Sequence, residues 1–356
     1  MAFSLFKKKK DKKDDRYQNL TVKEVVKVAK DAVNIVFEKP DGFTYQPGQF
    51  ITIIKEVNGK KIRRAYSLCT TPYQDEFPAV TVKRVEGGVM SNELNENIQI
   101  GDQLEIMEPM GMFTTDYGKE QKRKVAFFGG GSGITPLMSI LRTVLLEEPE
   151  SEVTLVYGNR NVDYIIFKDL LKSLAEQYNG RFNVIHILEE GDADYVGRPT
   201  EEMMLEIGKS IGLDAATECF ICGPQPMMDI VSEALPKAGA SNDNIRMESF
   251  EAGKTSPTEI IDITNAESEI TIILDGEEYE ITVSRNASIL DTALENDLDM
   301  PYSCQSGLCT ACRGKCLEGK VSIDEAEGLS QDELDEGFVL TCVGRPLSDR
   351  LRIEMG

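Results

Sequence analysis

Four cysteines carry the densest chemistry in this sequence. Three lie in the stretch Pro301-Tyr302-Ser303-Cys304-Gln305-Ser306-Gly307-Leu308-Cys309-Thr310-Ala311-Cys312, and the fourth is in Thr341-Cys342-Val343-Gly344. The spacing is C-x4-C-x2-C, then 29 residues, then C. Four thiolates so spaced suit a [2Fe-2S] cluster, a one-electron carrier with a low potential of about −400 mV. Three ligands from one tight turn require small residues where backbone approaches sulfide, and Ser306, Gly307, Thr310 and Ala311 meet that need. A disulfide staple fits poorly in a large acidic chain with no secretion signal. Zinc sites usually show two C-x2-C knuckles, and this loop has one. A four-iron site would need C-x2-C-x2-C-x3-C-P, whereas Leu317 follows Cys316 here. Cys316 therefore reads as a small buried hydrophobe.

The bulk numbers narrow the function further. At 356 residues the chain has room for two or three domains. Its net charge of −22 is uneven: residues 251–356 hold 23 acids against 8 bases, which puts −15 there and −7 in the rest. An acidic module disfavours nucleic acid and suits a partner with a basic docking surface. The single histidine, His186, sits in an apolar alternation and reads as a strand residue. A Rieske centre needs two histidines, and oxygen-activating iron usually does too, so the chain is built to carry electrons and not to activate oxygen itself. The tail before Tyr17 has a short apolar start and then Lys7 to Lys10, Lys12 and Lys13, which is no signal peptide. It reads as a solvated basic tail over 1–16, with a weak hold on anionic lipid as the alternative. No apolar run is long enough to span a membrane, so a cytoplasmic location is expected.

Residues 17–118 read as a small antiparallel β-barrel, from many short strands of period two and the hairpin signal Asn58-Gly59. Within it, Arg64-Ala65-Tyr66-Ser67 puts a cation and a ring on one face of a strand. Gly87-Gly88-Val89-Met90-Ser91 opens a short helix whose free N–H groups can receive a pyrophosphate. Glu108-Pro109-Met110-Gly111-Met112-Phe113 makes a turn after a strand. In this order the three stretches resemble the flavin domain of the ferredoxin–NADP reductase family. That resemblance implies that Arg64 binds the FAD pyrophosphate, Tyr66 packs on the isoalloxazine and Ser67 lies near flavin N5. It places Gly88, Val89, Met90 and Ser91 on the phosphates, with Lys83 as an extra contact. Glu108 departs from the family, which commonly has glycine there.

Over 119–250 strands alternate with helices, which implies a doubly wound parallel sheet with ligands at the strands' carboxyl ends. Val125 to Phe128 leads into Gly129-Gly130-Gly131-Ser132-Gly133-Ile134-Thr135-Pro136; Tyr157-Gly158-Asn159-Arg160 and Cys222-Gly223-Pro224-Gln225-Pro226-Met227 also follow expected strands. All three therefore belong to one sheet edge. The trio resembles the NAD(P) domain of the same family. By that resemblance Gly130, Gly131, Ser132, Gly133, Thr135 and Pro136 hold the pyrophosphate, and Asn159 and Arg160 lie toward the adenosine. Cys222, with Gly223, Pro224 and Met227, approaches the nicotinamide, the alternative for Cys222 being a buried strand thiol. Phe250, in Glu248-Ser249-Phe250, is either an aromatic beside the flavin or plain core. No acid follows the second strand and Arg160 could take a 2′-phosphate, which tilts the choice from NADH to NADPH.

A polar linker over 251–268 precedes a module over 269–356 that resembles plant-type β-grasp ferredoxins. It contains a hairpin around Asp275-Gly276, a helix capped by Ser288, the cluster loop, and a strand carrying Cys342. The domain order resembles the reductase components of phenylacetyl-CoA epoxidase and ketosteroid hydroxylase systems. It implies hydride transfer from NAD(P)H to FAD, then single electrons through Cys304, Cys309, Cys312 and Cys342 to a partner oxygenase, hydroxylase or desaturase. A non-oxygenase acceptor such as a hybrid-cluster protein shares this order, and a redox sensor without turnover is a third possibility.

Overall fold

The computed structural model describes residues 17–57, 59–250, 266–322, 326 and 328–355. The basic tail, Asn58 and most of the expected linker lie outside the described residues.

The first sheet comprises β1 (Tyr17–Ala29), β2 (Ala32–Phe37), β3 (Phe50–Val57), β4 (Lys60–Ser67), β5 (Ala79–Lys83) and β6 (Gln103–Met110), in the order β4-β3-β6-β1-β2-β5. All its pairings are antiparallel, and a bridge between Leu68 and Val80 brings the two edges together, so the sheet curls into a barrel. Alternation fills it: Leu20, Ile35, Phe37, Ile51, Ile53 and Ile106 point inward and are fully buried. Helix α1 (Val89–Glu96) closes one side, burying Met90 and Leu94. Strand β6 runs through Glu108 to Met110, so the expected turn begins later, at Gly111.

The second sheet is wholly parallel. It holds β7 (Lys124–Gly130), β8 (Glu152–Asn159), β9 (Phe182–Leu188), the short β10 (Tyr195–Val196), β11 (Glu218–Cys222) and β12 (Ile245–Glu248), ordered β10-β9-β8-β7-β11-β12. Helices α2 (Ile134–Glu147), α3 (Lys168–Gln177), α4 (Glu201–Ser210) and α5 (Gln225–Ala238) connect the strands. A short 3₁₀ turn at Val162–Tyr164 precedes α3, which begins just after Phe167, whose φ of 63° is left-handed. Helix α2 is apolar almost all round because it is covered on both sides. One side lies on its own sheet; on the other Ser139 and Thr143 bond Thr70 and Thr71, and Arg142 pairs with Asp75 at 2.7 Å. The barrel is thereby fastened to the parallel sheet.

The third sheet is mixed, in the order β14-β13-β17-β15-β16. Its strands are β13 (Glu267–Leu274), β14 (Glu277–Ser284), β15 (Arg313–Glu318), β16 (Phe338–Leu340) and β17 (Arg350–Met355), with helices α6 (Ile289–Glu295) and α7 (Gln331–Asp335). Asp275 and Gly276 have φ of 54° and 81°, the turn whose twist matches a tight hairpin. Ser288 caps α6 by accepting from the Asp291 N–H, and Ser330 with Glu333 forms a capping box on α7. Strand β13 begins at Glu267, and Cys342 stands just past β16 instead of within it.

Candidate functional site

The cluster loop folds as its sequence requires. Gln305 and Gly307 take left-handed φ of 55° and 75°, which turns the chain back on itself between Cys304 and Cys309. The Thr341 hydroxyl and N–H both donate to the Cys312 carbonyl, which fastens the segment holding Cys342 to the loop. The four sulfurs make no disulfide. The neighbouring thiols, first Cys309, pull Cys304 below the usual thiol range and Cys342 lowers Cys312, so the four form a row Cys309, Cys304, Cys342, Cys312. Among the described residues no three His, Cys, Asp or Glu converge on a single ion. A two-iron cluster does not ask for that, since its four thiolates are shared between two metals. The Ser306 hydroxyl is buried with no partner, and a Cβ on Gly328 would come within 2.9 Å of the Cys309 nitrogen, so the loop leaves polar capacity but no spare bulk around the sulfurs. The residues fit the cluster. Cys316 lies in β15, partly buried, and bonds the carbonyls of Glu318 and Gly319 away from that row.

Beside this loop is a cavity of about 240 Å³ to which all three sheets contribute. The barrel supplies Phe50, Arg64, Ala65 and Ser67; the end of the parallel sheet supplies Glu248, Ser249 and Phe250; the loop supplies Ser303, Cys304 and Leu308. Ser67 is buried beside the Glu248 carboxyl, one oxygen of which is buried without a partner. Burial, then the nearby Cys304, raises the Glu248 carboxyl to about 8. Arg64 is exposed, free to reach an anion, with one N–H on the Arg63 carbonyl at 2.7 Å. Tyr66 packs half-buried against the barrel core, and burial lifts its phenol above the usual range. Phe250 is not core: it is 48% exposed at the rim of this cavity. Gly88 begins α1 with no side-chain cap, leaving its first N–H groups free beside Val89, Met90 and Ser91. The Ser91 hydroxyl accepts from Val85 and braces this turn. An exposed guanidinium, uncapped N–H groups and an unpartnered carboxylate oxygen are what a flavin dinucleotide with a polar ring edge would engage, so the residues fit FAD.

A second cleft, of about 430 Å³, opens at the carboxyl ends of β7, β8 and β9. Gly130, Gly131, Asn159, Arg160, Pro224 and Met227 line it, as do Glu189 and Arg198, which pair at 3.3 Å. Both amide atoms of Asn159 are buried with no partner, an unmet demand that a bound nucleotide can satisfy. Arg160 lies over the Tyr164 ring and makes no ion pair among the described residues. Gly133 begins α2 with no side-chain cap. Ser132, Gly133, Thr135 and Pro136 sit behind the lining, and the Thr135 hydroxyl is taken by the Ser132 carbonyl at 3.0 Å. Lys83, expected beside the flavin phosphates, lines this cleft instead, because β5 ends against Gly131; it is 3.8 Å from Asp31. Cys222 is fully buried at the end of β11 and, with Gly223, is outside both linings. Its register partner is Glu248, the residue that does line the cavity.

Sequence reasoning quoted Glu248 without a role and passed over Arg63, Thr52 and Asp299. The Arg63-Arg64 pair held a signal, since strand alternation must send neighbours to opposite faces.

Comparison with known proteins agrees with this layout. Residues 19–115 match an oxidoreductase FAD-binding domain, 127–233 an oxidoreductase NAD-binding domain and 272–347 a 2Fe-2S iron-sulfur cluster binding domain. The chain is 37% identical over 347 residues to the ferredoxin reductase component of 3-ketosteroid-9-alpha-monooxygenase from Rhodococcus rhodochrous, covering 94% of this chain and 96% of that one. It is 35% identical to a component of the 1,2-phenylacetyl-CoA epoxidase of Escherichia coli, over 95% and 97% of the two chains. The solved structure of phthalate dioxygenase reductase, described as modular for electron transfer from pyridine nucleotides to [2Fe-2S], superposes with a TM-score of 0.62 at 25% identity, over 96% of this chain and 98% of that one. With its cysteine row, flavin-side cavity and nucleotide cleft carried on these three domains, the chain belongs to the ferredoxin–NADP reductase superfamily, among the oxidoreductases that join FAD, NAD and [2Fe-2S] domains in one polypeptide.

Proposed function

We propose that this chain supplies electrons from NAD(P)H, one at a time, to an oxygenase, hydroxylase or desaturase component on another chain. Bound FAD and [2Fe-2S] supply the chemistry that turns a two-electron donor into single-electron delivery. The observation that carries the proposal is the cavity where Ser67, Glu248 and Cys304 meet, because it sets flavin-side, nicotinamide-side and iron-side residues around one space. Arg64 and the α1 N-terminus at Gly88 to Ser91 would hold the FAD phosphates, Tyr66 would cover the ring, and Ser67 with Glu248 would orient its polar edge. Asn159, Arg160, Lys83 and the loop Gly130 to Pro136 would hold the nicotinamide nucleotide. Cys222, Gly223, Pro224 and Met227 would form the wall its ring approaches, with Phe250 at the rim. Cys304, Cys309, Cys312 and Cys342 would hold the iron.

We place the domains at 17–118, 119–250 and 267–356, because β13 begins at Glu267, with 251–266 joining the last two. The relatives' names support an oxygenase partner, and the charge of the last third supports a basic docking face on it. A cytoplasmic location accords with the finding that no helix among the described residues is long and apolar enough to cross a membrane. Arg160, which makes no ion pair among the described residues, favours NADPH. The test is a pull-down from native lysate under reducing conditions, followed by mixing the reduced holoprotein with the captured chain. Rapid reoxidation coupled to oxygenated product supports the proposal. Capture of a protein that reoxidises the chain with no oxygenation sinks the oxygenase assignment.

A further inference from the structure

Arg63 and Arg64 are neighbours in β4, but their side chains leave on opposite sides. Arg64 lines the flavin-side cavity, whereas Arg63 is only 3% exposed and crosses the seam to the iron-binding domain. Its Nη1 donates to Asp299 Oδ1 at 2.6 Å, and its guanidinium lies over the Tyr302 ring, 5.3 Å from the centroid. On the adjoining strand the buried Thr52 hydroxyl bonds that of Ser303. Asp299, Tyr302 and Ser303 belong to the segment that leads directly into Cys304. Lys61 also reaches Asp299, at 3.8 Å, and beside these polar contacts Phe50, Ile54 and Met107 of the barrel pack on Cys309 and Ala311.

We propose that Arg63 is a positioning residue that latches the segment before Cys304 onto β4, and so fixes the separation across which electrons pass from the flavin side to the iron. This rests on the relay proposed above. A buried guanidinium is costly unless paired, and its Nε has no partner, so its burial is offset only while Asp299 and Tyr302 are in place. The latch therefore closes as a unit. Apolar packing alone tolerates sliding, whereas a planar fork on a carboxylate and a flat ring fixes orientation.

The test uses the full-length holoprotein carrying Arg63→Gln, Arg63→Lys or Asp299→Asn. The Asp299 side chain is largely exposed, so that variant keeps the question answerable if Arg63→Gln folds poorly. Two quantities are read: the rates of flavin and then iron–sulfur bleaching after rapid anaerobic mixing with NADH or NADPH, and hydrogen exchange of the amides at 299–303. The latch predicts flavin bleaching close to wild type. Iron–sulfur bleaching should slow about tenfold or more in Arg63→Gln, since roughly 1 Å of misplacement can cost about 10²-fold. Arg63→Lys should be intermediate, and exchange at 299–303 should quicken in the same order. Unchanged exchange with an unchanged ratio of the two rates overturns the latch, as does a proportional fall in both rates. If wild type itself shows no iron–sulfur bleaching, the relay fails, and the exchange comparison alone decides whether Arg63 holds the loop.

Discussion

Gly133, in the turn after β7, packs on Cys222, the last residue of β11: a Cβ built on Gly133 would come within 2.0 Å of the Cys222 carbonyl oxygen. The neighbour is backbone and cannot swing aside. Gly133→Ala must therefore push apart the ends of β7 and β11, where the nucleotide loop and the Gly223-Pro224 turn meet. Overpacking of this kind costs about 1–3 kcal/mol. We expect a lower denaturant midpoint together with a raised KM for the nicotinamide nucleotide and nearly normal iron content. A midpoint and KM equal to wild type would show that the two loops move independently.

Each cysteine of the row should be indispensable to iron and dispensable to flavin. Cys304→Ser and Cys342→Ser should purify with FAD but without the iron–sulfur absorbance, measured by metal and flavin counting. Cys316→Ser should retain both, since Cys316 is turned toward the Glu318 and Gly319 carbonyls. Iron retained in Cys342→Ser but lost in Cys316→Ser would reassign the fourth ligand.

Glu189 stands in the nucleotide cleft paired with Arg198, near the unpaired Arg160. Its carboxylate opposes a 2′-phosphate and occupies a guanidinium that could otherwise bind one. Glu189→Gln should shift kcat/KM toward NADPH relative to NADH by a few-fold, the scale of an exposed charge pair of about 0.2–1 kcal/mol. Arg160→Ala should shift it the opposite way. Steady-state ratios for the two nucleotides check both, and no shift in either variant would remove this end of the cleft from nucleotide choice.

The seam between barrel and iron–sulfur domain should weaken in acid. Asp299 is half-desolvated, which by itself would raise its carboxyl, but the bond from Arg63, with Lys61 nearby, holds it below the ordinary value. A folded-state value below the unfolded one, about 3.9, means that the stabilisation is complete above that pH and is lost as pH falls through the depressed range. The stability gap between wild type and Asp299→Asn should be constant near neutrality and close on acidification below about pH 4. A gap that persists unchanged into that range would show that the carboxylate charge contributes nothing.

What the sequence disclosed, and what it hid, follows from the range of each interaction. The C-x4-C-x2-C loop, the Asp275-Gly276 turn and the Ser288 cap are local, and each lies within a few residues of its effect. Cavity membership is not local. The Thr52–Ser303 bond joins residues 251 apart, and nothing around either one marks it. Lys83 looks like a flavin contact on its own strand and joins the lining of the second cleft only because it lies against Gly131. Phe250 comes two residues after a strand that stops at Glu248, which leaves its ring at a rim. The break at Phe167 rests on a left-handed residue that propensity would not place there. Strand β15 buries only Gly314 of its six residues, which leaves no alternation to read.

On the proposed function, electrons enter in pairs at the flavin and leave singly through iron held by Cys304, Cys309, Cys312 and Cys342. The most direct measurement is rapid anaerobic mixing of the full-length protein with NADH and NADPH, after counting about two iron and one flavin per chain. The account predicts flavin bleaching first, then bleaching of the iron–sulfur absorbance in the same molecules. Protein that binds no iron even after reconstitution, or whose iron–sulfur absorbance stays oxidised behind a fully bleached flavin, would contradict it.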